Sequence, residues 1–313
     1  MNHDQEILLI TRILWHYYRE GLTQGDIAYR LGVTRAKVNK ILGEAKNQGL
    51  VHIHIDSPVR ACVELEAQLR AQYNLSEVIV TPSLITQVDL RRIIGMAAAD
   101  YLNTHLKDKQ TLGITGGKTV HFVARSLRQR QKSENTVVSL CGGLARKSSA
   151  NPYENATMFA ERLDAECFYI TAPHFVKNPQ LREAFLESEA VQKVFGKIKD
   201  IGIALLSPLD LEQNSELVKY KVFSKDFCQG LKEKGAVGEI CGHYLDKEGQ
   251  PIEHPICQQV IAPTLEQLKS IPKLVMAAGG KEKVPIIKGG IKAGLCHTLV
   301  TDEATAQFLV QEQ

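Results

Sequence analysis

Seven short apolar pulses punctuate the chain beyond residue 75, and they constrain the fold more than any other feature. They read "EVIVTP", "TLGIT", "TVVSLCGG", "CFYITAP", "DIGIALLSP", "KLVMAAGG" and "HTLVTDE". Most are near-continuous apolar runs rather than alternations, the pattern of strands covered on both faces. Helix-like stretches such as "LRRIIGMAAADYLNTHL" and "VHFVARSLRQR" separate them. The rhythm predicts an α/β fold, a doubly wound parallel sheet with helices on both sides. The pulses end at Gly116-Gly117, Gly142-Gly143, Pro173, Ser207-Pro208, Gly279-Gly280 and Thr301-Asp302. In open α/β sheets ligands sit outside the carboxyl ends of the strands, where glycine lets backbone amides approach an anion. A small anionic ligand at that rim is expected.

The first sixty residues keep a different period. "ILLITRILWHYYREG" places Ile7, Ile10, Leu14 and Tyr17 or Tyr18 at helical spacing, with Gly21 as the stop. In "LTQGDIAYRLGVTRAKVNKILGEAKNQGL", Thr23 is a natural N-cap with Asp26 three residues on, and Ile27, Ala28 and Leu31 form an inner face. Gly32 marks a tight turn, Thr34 caps a second helix, and Val38, Ile41 and Leu42 point inward. Two short helices joined through glycine make a helix-turn-helix. Arg35, Lys37, Asn39 and Lys40 lie off the apolar stripe, near the start of the second helix. In a DNA-reading unit that position meets base edges in the major groove. Arginine and asparagine suit guanine and adenine there, and lysines neutralise phosphates. Thr23, Thr34, Arg35, Lys37, Asn39 and Lys40 are the candidate DNA-binding residues. "LVHIHIDSP" alternates Val51, Ile53 and Ile55 with His52, His54 and Asp56, which predicts a wing strand ending at Pro58. No third ligand accompanies the histidine pair, so no metal is expected. From Val59, a charged helix with Val63, Leu65 or Glu66, and Leu69 is a connector or a dimer contact.

With 313 residues the chain has room for two domains, placed at 1–57 and 58–313. A hydrophobic content of 44% beside 23% charged residues fits a soluble globular protein, and a net charge of +3 does not by itself announce nucleic acid. Seven cysteines without a C-x-x-C pair suggest reduced thiols and a cytoplasmic setting. No apolar run approaches the roughly 20 residues of a membrane helix, and acids near the N-terminus argue against a secretory leader. "TLGITGGKTV" imitates a nucleotide loop, but that motif needs a glycine, four free residues, then Gly-Lys-Thr. Leu112 holds the first glycine's place and Gly113 is one residue too close. The turn can still offer amides, the Lys118 ammonium and the Thr119 hydroxyl to a phosphate. No acidic strand end is set to hold magnesium, and no cofactor is expected. Glu161, Asp164 and Glu166 read as a solvated helix face, and Cys141 as a small buried residue. "GEICGHYLDKEGQPI" reads as strand, turn at Lys247-Glu248-Gly249, and strand, with Glu239 and His243 toward the ligand rim.

Taken together, the motifs resemble those of SorC-type transcriptional regulators. The matching stretches are "YYREGLTQGDIAYRLGVTRAKVNKIL", "LGITGGKTV", "VVSLCGG", "GAVGEICGHYLDKEGQPI", "MAAGGKEKVPII" and "LVTDEATAQFLV", in the family's order over nearly the whole chain. The resemblance implies a helix-turn-helix joined to an effector and oligomerisation domain related to sugar-phosphate isomerases and deaminases. It implies operator DNA as partner, dimers or tetramers, and a phosphorylated sugar or polyol as effector of a catabolic operon. Gly117-Lys118-Thr119 corresponds to the family's Gly-Thr-Thr phosphate loop, and Lys283 to its lysine after the Ala-Gly-Gly turn. Gly116 stands where the family usually has tryptophan. Cys141 stands where some members carry a Schiff-base lysine, and a thiol cannot form that imine. With the rim turns, the expected effector set is Gly116, Gly117, Lys118, Thr119, Gly142, Gly143, Glu239 and Lys283. A phosphosugar isomerase or deaminase is the rival reading, since one fold hosts both. The basic helix "TRAKVNK" favours a regulator over an enzyme.

Overall fold

Each of the seven apolar pulses becomes a strand of one parallel sheet. The computed structural model describes residues 3–47, 50–51, 59–83, 89–145, 148–213, 215–219 and 222–311. The chain divides into two units, Met1–Pro58 and Val59–Gln313.

In the first unit α1 (His3–Tyr18), α2 (Gln24–Leu31) and α3 (Arg35–Asn47) close on a small core. Ile13, Ile27, Ala28, Val38 and Leu42 are buried there. Full burial of an Ile or Val side chain contributes about 1.5–3 kcal/mol, and so few such residues leave little to spare. Thr23 caps α2: its hydroxyl accepts from the Asp26 N–H at 3.2 Å and donates to the Asp26 carboxylate at 2.6 Å. Gly32 ends α2 in the left-handed region at φ 66°. The Thr34 hydroxyl accepts from the Lys37 N–H at 3.2 Å and caps α3. The inner face of α1 differs from expectation. Ile13 is fully buried with Leu9 and Leu14 beside it, whereas Ile7, Tyr17 and Tyr18 are exposed. In an apolar-rich helix several lines satisfy the helical period, and here the covered strip is narrow. The expected wing strand lies almost wholly outside the described residues.

The second unit opens with α4 (Arg60–Tyr73), whose Cys62, Leu65 and Leu69 are buried. Val63, expected inside, is 58% exposed. The Glu66 carboxylate instead reaches the sheet and accepts from the Val80 N–H at 2.9 Å. Strands β1 (Glu77–Thr81), β2 (Thr111–Ile114), β3 (Thr136–Ser139), β4 (Glu166–Phe168) and β5 (Ile201–Leu206) follow in the chain. A hairpin of β6 (Gly238–Ile240) and β7 (His243–Leu245) precedes β8 (Lys273–Ala277) and β9 (Thr298–Asp302). The large sheet runs β1-β9-β8-β5-β2-β3-β4 with every pair parallel. Helices α5 (Leu90–His105), α6 (Lys118–Ser126) and α7 (Pro152–Leu163) cover one face through Ile94, Val120 and Phe159. The other face packs on α4 and on later helices through residues such as Leu69, Leu268 and Ile286.

The strand order positions the site. After β2 the chain winds outward through β3 and β4, then returns so that β5 lies on the other side of β2. Helical connections therefore leave in opposite directions between β2 and β5, and a crevice opens at their carboxyl ends. The Thr115 hydroxyl spans that gap: it donates to the Leu205 carbonyl at 3.4 Å and accepts from the Ser207 N–H at 3.1 Å. The hairpin also departs from expectation. The β6–β7 reversal falls at Cys241-Gly242, with φ of 51° and 83°. The expected turn at Lys247–Gly249 exists as a second reversal, closed by the Asp246 N–H on the Gln250 carbonyl at 2.9 Å.

Candidate functional site

A cavity of about 50 Å³ occupies the β2–β5 crevice. Thr115, Gly116 and Gly117 reach it from the end of β2, Cys141 from β3, Ser207 from β5, and Glu239 and Cys241 from the hairpin. His174, Phe175 and Leu144 complete much of the wall. Glu239 is only 4% exposed, and its carboxylate accepts from the Gly242 N–H across the tight turn. Burial pushes its carboxyl up to about 7, against the opposing pull of that hydrogen bond and of Lys283. The buried His174 is held neutral by burial and by His243, its pKa down at about 4. Its Nδ1 has no hydrogen-bond partner among the described residues. A buried ring nitrogen without a partner, on a residue that lines a cavity, is a position a ligand hydroxyl or water can satisfy.

The expected effector residues do not all converge. Gly116, Gly117 and Glu239 line the cavity, while Lys118, Thr119, Gly142, Gly143 and Lys283 do not. Gly117 is the N-cap of α6 at φ 110° and gives that helix no side-chain cap hydrogen bond. An uncapped helix start carries partial positive charge beside the cavity. Lys118 is half-buried at the first position of α6 and Thr119 is buried. Lys283 is 7% exposed, and its charge opposes the burial that raises the carboxyls of Asp210 and Glu239.

Gly142 and Gly143 require a correction. Their amides are already engaged, Gly142 with the Ile261 carbonyl at 3.2 Å and Gly143 with the Ala172 carbonyl at 2.9 Å. A Cβ on Gly142 would stand 2.6 Å from the Pro173 oxygen, and one on Gly143 2.3 Å from the Tyr153 ring. These glycines permit close packing of the β3 end and do not cradle an anion. The Gly117 N–H is likewise taken, by the Ala150 carbonyl at 2.9 Å. His243 turns away from the rim: its Nε2 lies 2.8 Å from the Pro263 carbonyl, in a separate cavity with Arg182. Sequence reasoning missed His174, whose signal is a lone polar residue just past the "CFYITAP" pulse, and Thr115, the last residue of its own.

In the first unit Arg35, Lys37, Asn39 and Lys40 are all exposed on α3. Lys40 sits 3.7 Å from Glu44 in an exposed pair, an interaction of small energetic weight. Arg35 borders a shallow depression with Thr23, Gln24 and Gly25 at the start of α2. The Thr23 and Thr34 hydroxyls serve the helix caps. No described helix is long and apolar enough to cross a membrane.

Comparison with known proteins places this geometry. Residues 57–311 match the family described as "Putative sugar-binding domain". The chain is 28% identical to the uncharacterized transcriptional regulator YjhU of Escherichia coli K12, over 98% of this chain and 95% of the relative. It is 27% identical to the erythritol catabolism regulatory protein EryD of Brucella abortus, with 98% of each chain covered. The full-length sorbitol operon regulator SorC of Klebsiella pneumoniae superposes with a TM-score of 0.75 at 23% identity, over 98% of this chain and all of that one.

Proposed function

We infer that this chain, which belongs to the Sugar-bind family, is a DNA-binding transcriptional regulator controlled by a phosphorylated sugar or polyol. The observation that carries the reading is the pairing of two features in one chain. One is an exposed, basic second helix in a helix-turn-helix; the other is a cavity at the β2–β5 crevice with an orphaned His174 nitrogen and a buried Glu239. The names of the relatives, regulators of transcription and of erythritol catabolism, support the same reading.

The roles divide by chemistry. A phosphate of nearly two negative charges seeks amides and ammonium groups, and the uncapped start of α6 with Lys118 supplies them beside Gly116 and Gly117. Lys283 adds positive potential from the turn after β8. Sugar or polyol hydroxyls meet His174 and Glu239, one with an open ring nitrogen, the other able to donate when protonated. In the first unit Arg35 and Asn39 read base edges while Lys37 and Lys40 hold phosphates. Residues 1–57 serve as the reading head and 58–313 as the effector and oligomerisation domain. A homodimer or homotetramer matches the two-fold symmetry of operators read by such heads.

The test is a panel of phosphorylated and unphosphorylated sugars and polyols, scored by melting temperature and by release of operator DNA. A phosphorylated member raises the melting temperature and changes operator affinity. Its dephosphorylated form does neither at the same concentration. In Lys118→Ala the response weakens while operator binding without effector stays near that of the parent. A panel that shifts neither property, in a protein that does bind its operator, refutes effector control. Equal responses of parent and variant refute the phosphate assignment alone.

A further inference from the structure

The cavity wall contains a feature that effector binding does not require. Cys141, at the end of β3, and Cys241, in the β6–β7 turn, are 100 residues apart in sequence, yet their sulfurs lie 3.5 Å from each other. Both are buried, and both face the cavity. All seven cysteines are free, and this is the one close thiol–thiol contact among the described residues. We propose that Cys141 and Cys241 form an oxidisable dithiol, converted by a hydroperoxide into a disulfide that fastens the β6–β7 turn to the end of β3.

Three observations favour redox chemistry of this kind. No cluster of three or more metal-ligating side chains occurs among the described residues, so the pair lacks the further donors of a metal site. The cavity of about 50 Å³ has room for water-sized molecules, and hydrogen peroxide is close to that size. Both thiols are buried below the cavity surface, out of line for the sulfur of a bulky tripeptide disulfide such as oxidised glutathione. Finally, the two sulfurs sit on separate elements, and the Cys241 thiol also donates to the Leu140 carbonyl at 3.6 Å. Closing them to the roughly 2.05 Å of a disulfide needs movement of the short turn rather than of the sheet.

The step balances without any further reactant. The hydrogen bond to Cys141 and burial push the Cys241 thiol well up, which suits Cys241 to the second, resolving step. The Cys141 sulfur, as thiolate, takes an oxygen from the peroxide; the O–O bond breaks and the departing hydroxide takes up the proton Cys141 released, leaving as water. The Cys241 sulfur then attacks the resulting sulfenic sulfur, the S–O bond breaks, and the departing hydroxide takes the Cys241 proton. Two thiols are oxidised by two electrons, and one peroxide is reduced to two waters. Glu239 lies two residues before Cys241 on the same hairpin, so the disulfide fixes the wall that carries it.

The reduced full-length chain is treated with hydrogen peroxide, its remaining thiols are alkylated, and its peptides are mapped without reduction. The expected product is a Cys141–Cys241 cross-linked pair, reversed by dithiothreitol, lost in C141S and C241S, and retained in C167S. Amide exchange across Gly238–Leu245 slows by about tenfold in the oxidised parent. Oxidised glutathione at the same concentration leaves the pair reduced. Full alkylation of both cysteines after a peroxide dose that oxidises free cysteine overturns the proposal. So does separate conversion of each to a sulfinic acid, or a cross-link that glutathione disulfide produces as readily as peroxide.

Discussion

Replacing Glu239 with glutamine leaves an oxygen that can accept from the Gly242 N–H and removes only the titration. In the unfolded chain this carboxyl ionises as pH passes 4.5, but in the fold burial holds the proton until about 7. Through that window the unfolded state binds fewer protons, so the parent loses stability as pH rises. The gap between 4.5 and about 7 is worth about 3 kcal/mol at about 1.4 kcal/mol per pH unit. His174 runs the other way. Unfolded, it is protonated below 6.5, yet in the fold only below about 4, so the parent gains stability with pH through that window. The two effects overlap between 4.5 and 6.5 and nearly cancel, which hides both in the parent. Urea unfolding followed by circular dichroism, at fixed protein concentration, separates them by difference. Lys283, Cys241 and Tyr244 lie near Glu239 in parent and variant alike, so their contributions largely drop out. From pH 5 to pH 8 Glu239→Gln should gain about 2–3 kcal/mol on the parent. His174→Gln should show the mirror image, with its advantage full below about pH 4 and gone by pH 7. A Glu239→Gln difference that stays constant within about 0.5 kcal/mol over this range would mean that Glu239 titrates alike folded and unfolded.

Three further outcomes are expected. Arg35→Ala should cost about 1–3 kcal/mol of operator affinity and relax preference at one base pair, measured by competition with single-base operator variants. Lys37→Ala should weaken all DNA sequences alike and flatten the salt dependence by about one phosphate contact, read from affinity against salt concentration. Gly143→Ala drives a methyl group into the Tyr153 ring, whose hydroxyl is anchored on the Ile170 and Ala172 carbonyls. It should destabilise the second unit by about 1–3 kcal/mol in thermal or urea unfolding, and an unchanged transition would contradict the packing role of this glycine.

The strands were legible because a parallel sheet covered on both sides demands apolar runs, and "DIGIALLSP" or "HTLVTDE" admits little else. The caps at Thr23 and Thr34 were legible because capping acts over three residues. The return of β5 beside β2 was not, since pairing is decided by contacts among residues far apart in sequence. The site inherits that gap: Glu239 could be named from its motif, but its meeting with His174 and Ser207 depends on strand order. Cys241 gives no sign in the sequence that it occupies the left-handed region, where glycine or asparagine is the usual marker. Gly142 and Gly143 were misread for a related reason. A glycine that admits a ligand and a glycine that admits a neighbouring carbonyl look alike in one dimension.

One pairing has a consequence for how the chain is made. β9 is the one strand that pairs with β1 among the described residues, Glu77 opposite Thr298 through Thr81 opposite Asp302. α4, just before β1, is tied to the final helix Glu303–Gln311 by the Tyr73 hydroxyl on the Leu309 carbonyl at 2.7 Å. During synthesis the small core of the three helices is complete once Leu42 has emerged. Val78 and Val80 wait for a strand more than two hundred residues downstream, exposed to chaperones and proteases in the meantime. A ribosome that stalls after β8 thus releases a chain with an intact N-terminal unit and an open sheet. If that fragment escapes degradation, it competes for whatever the N-terminal unit binds while its sheet stays unfinished.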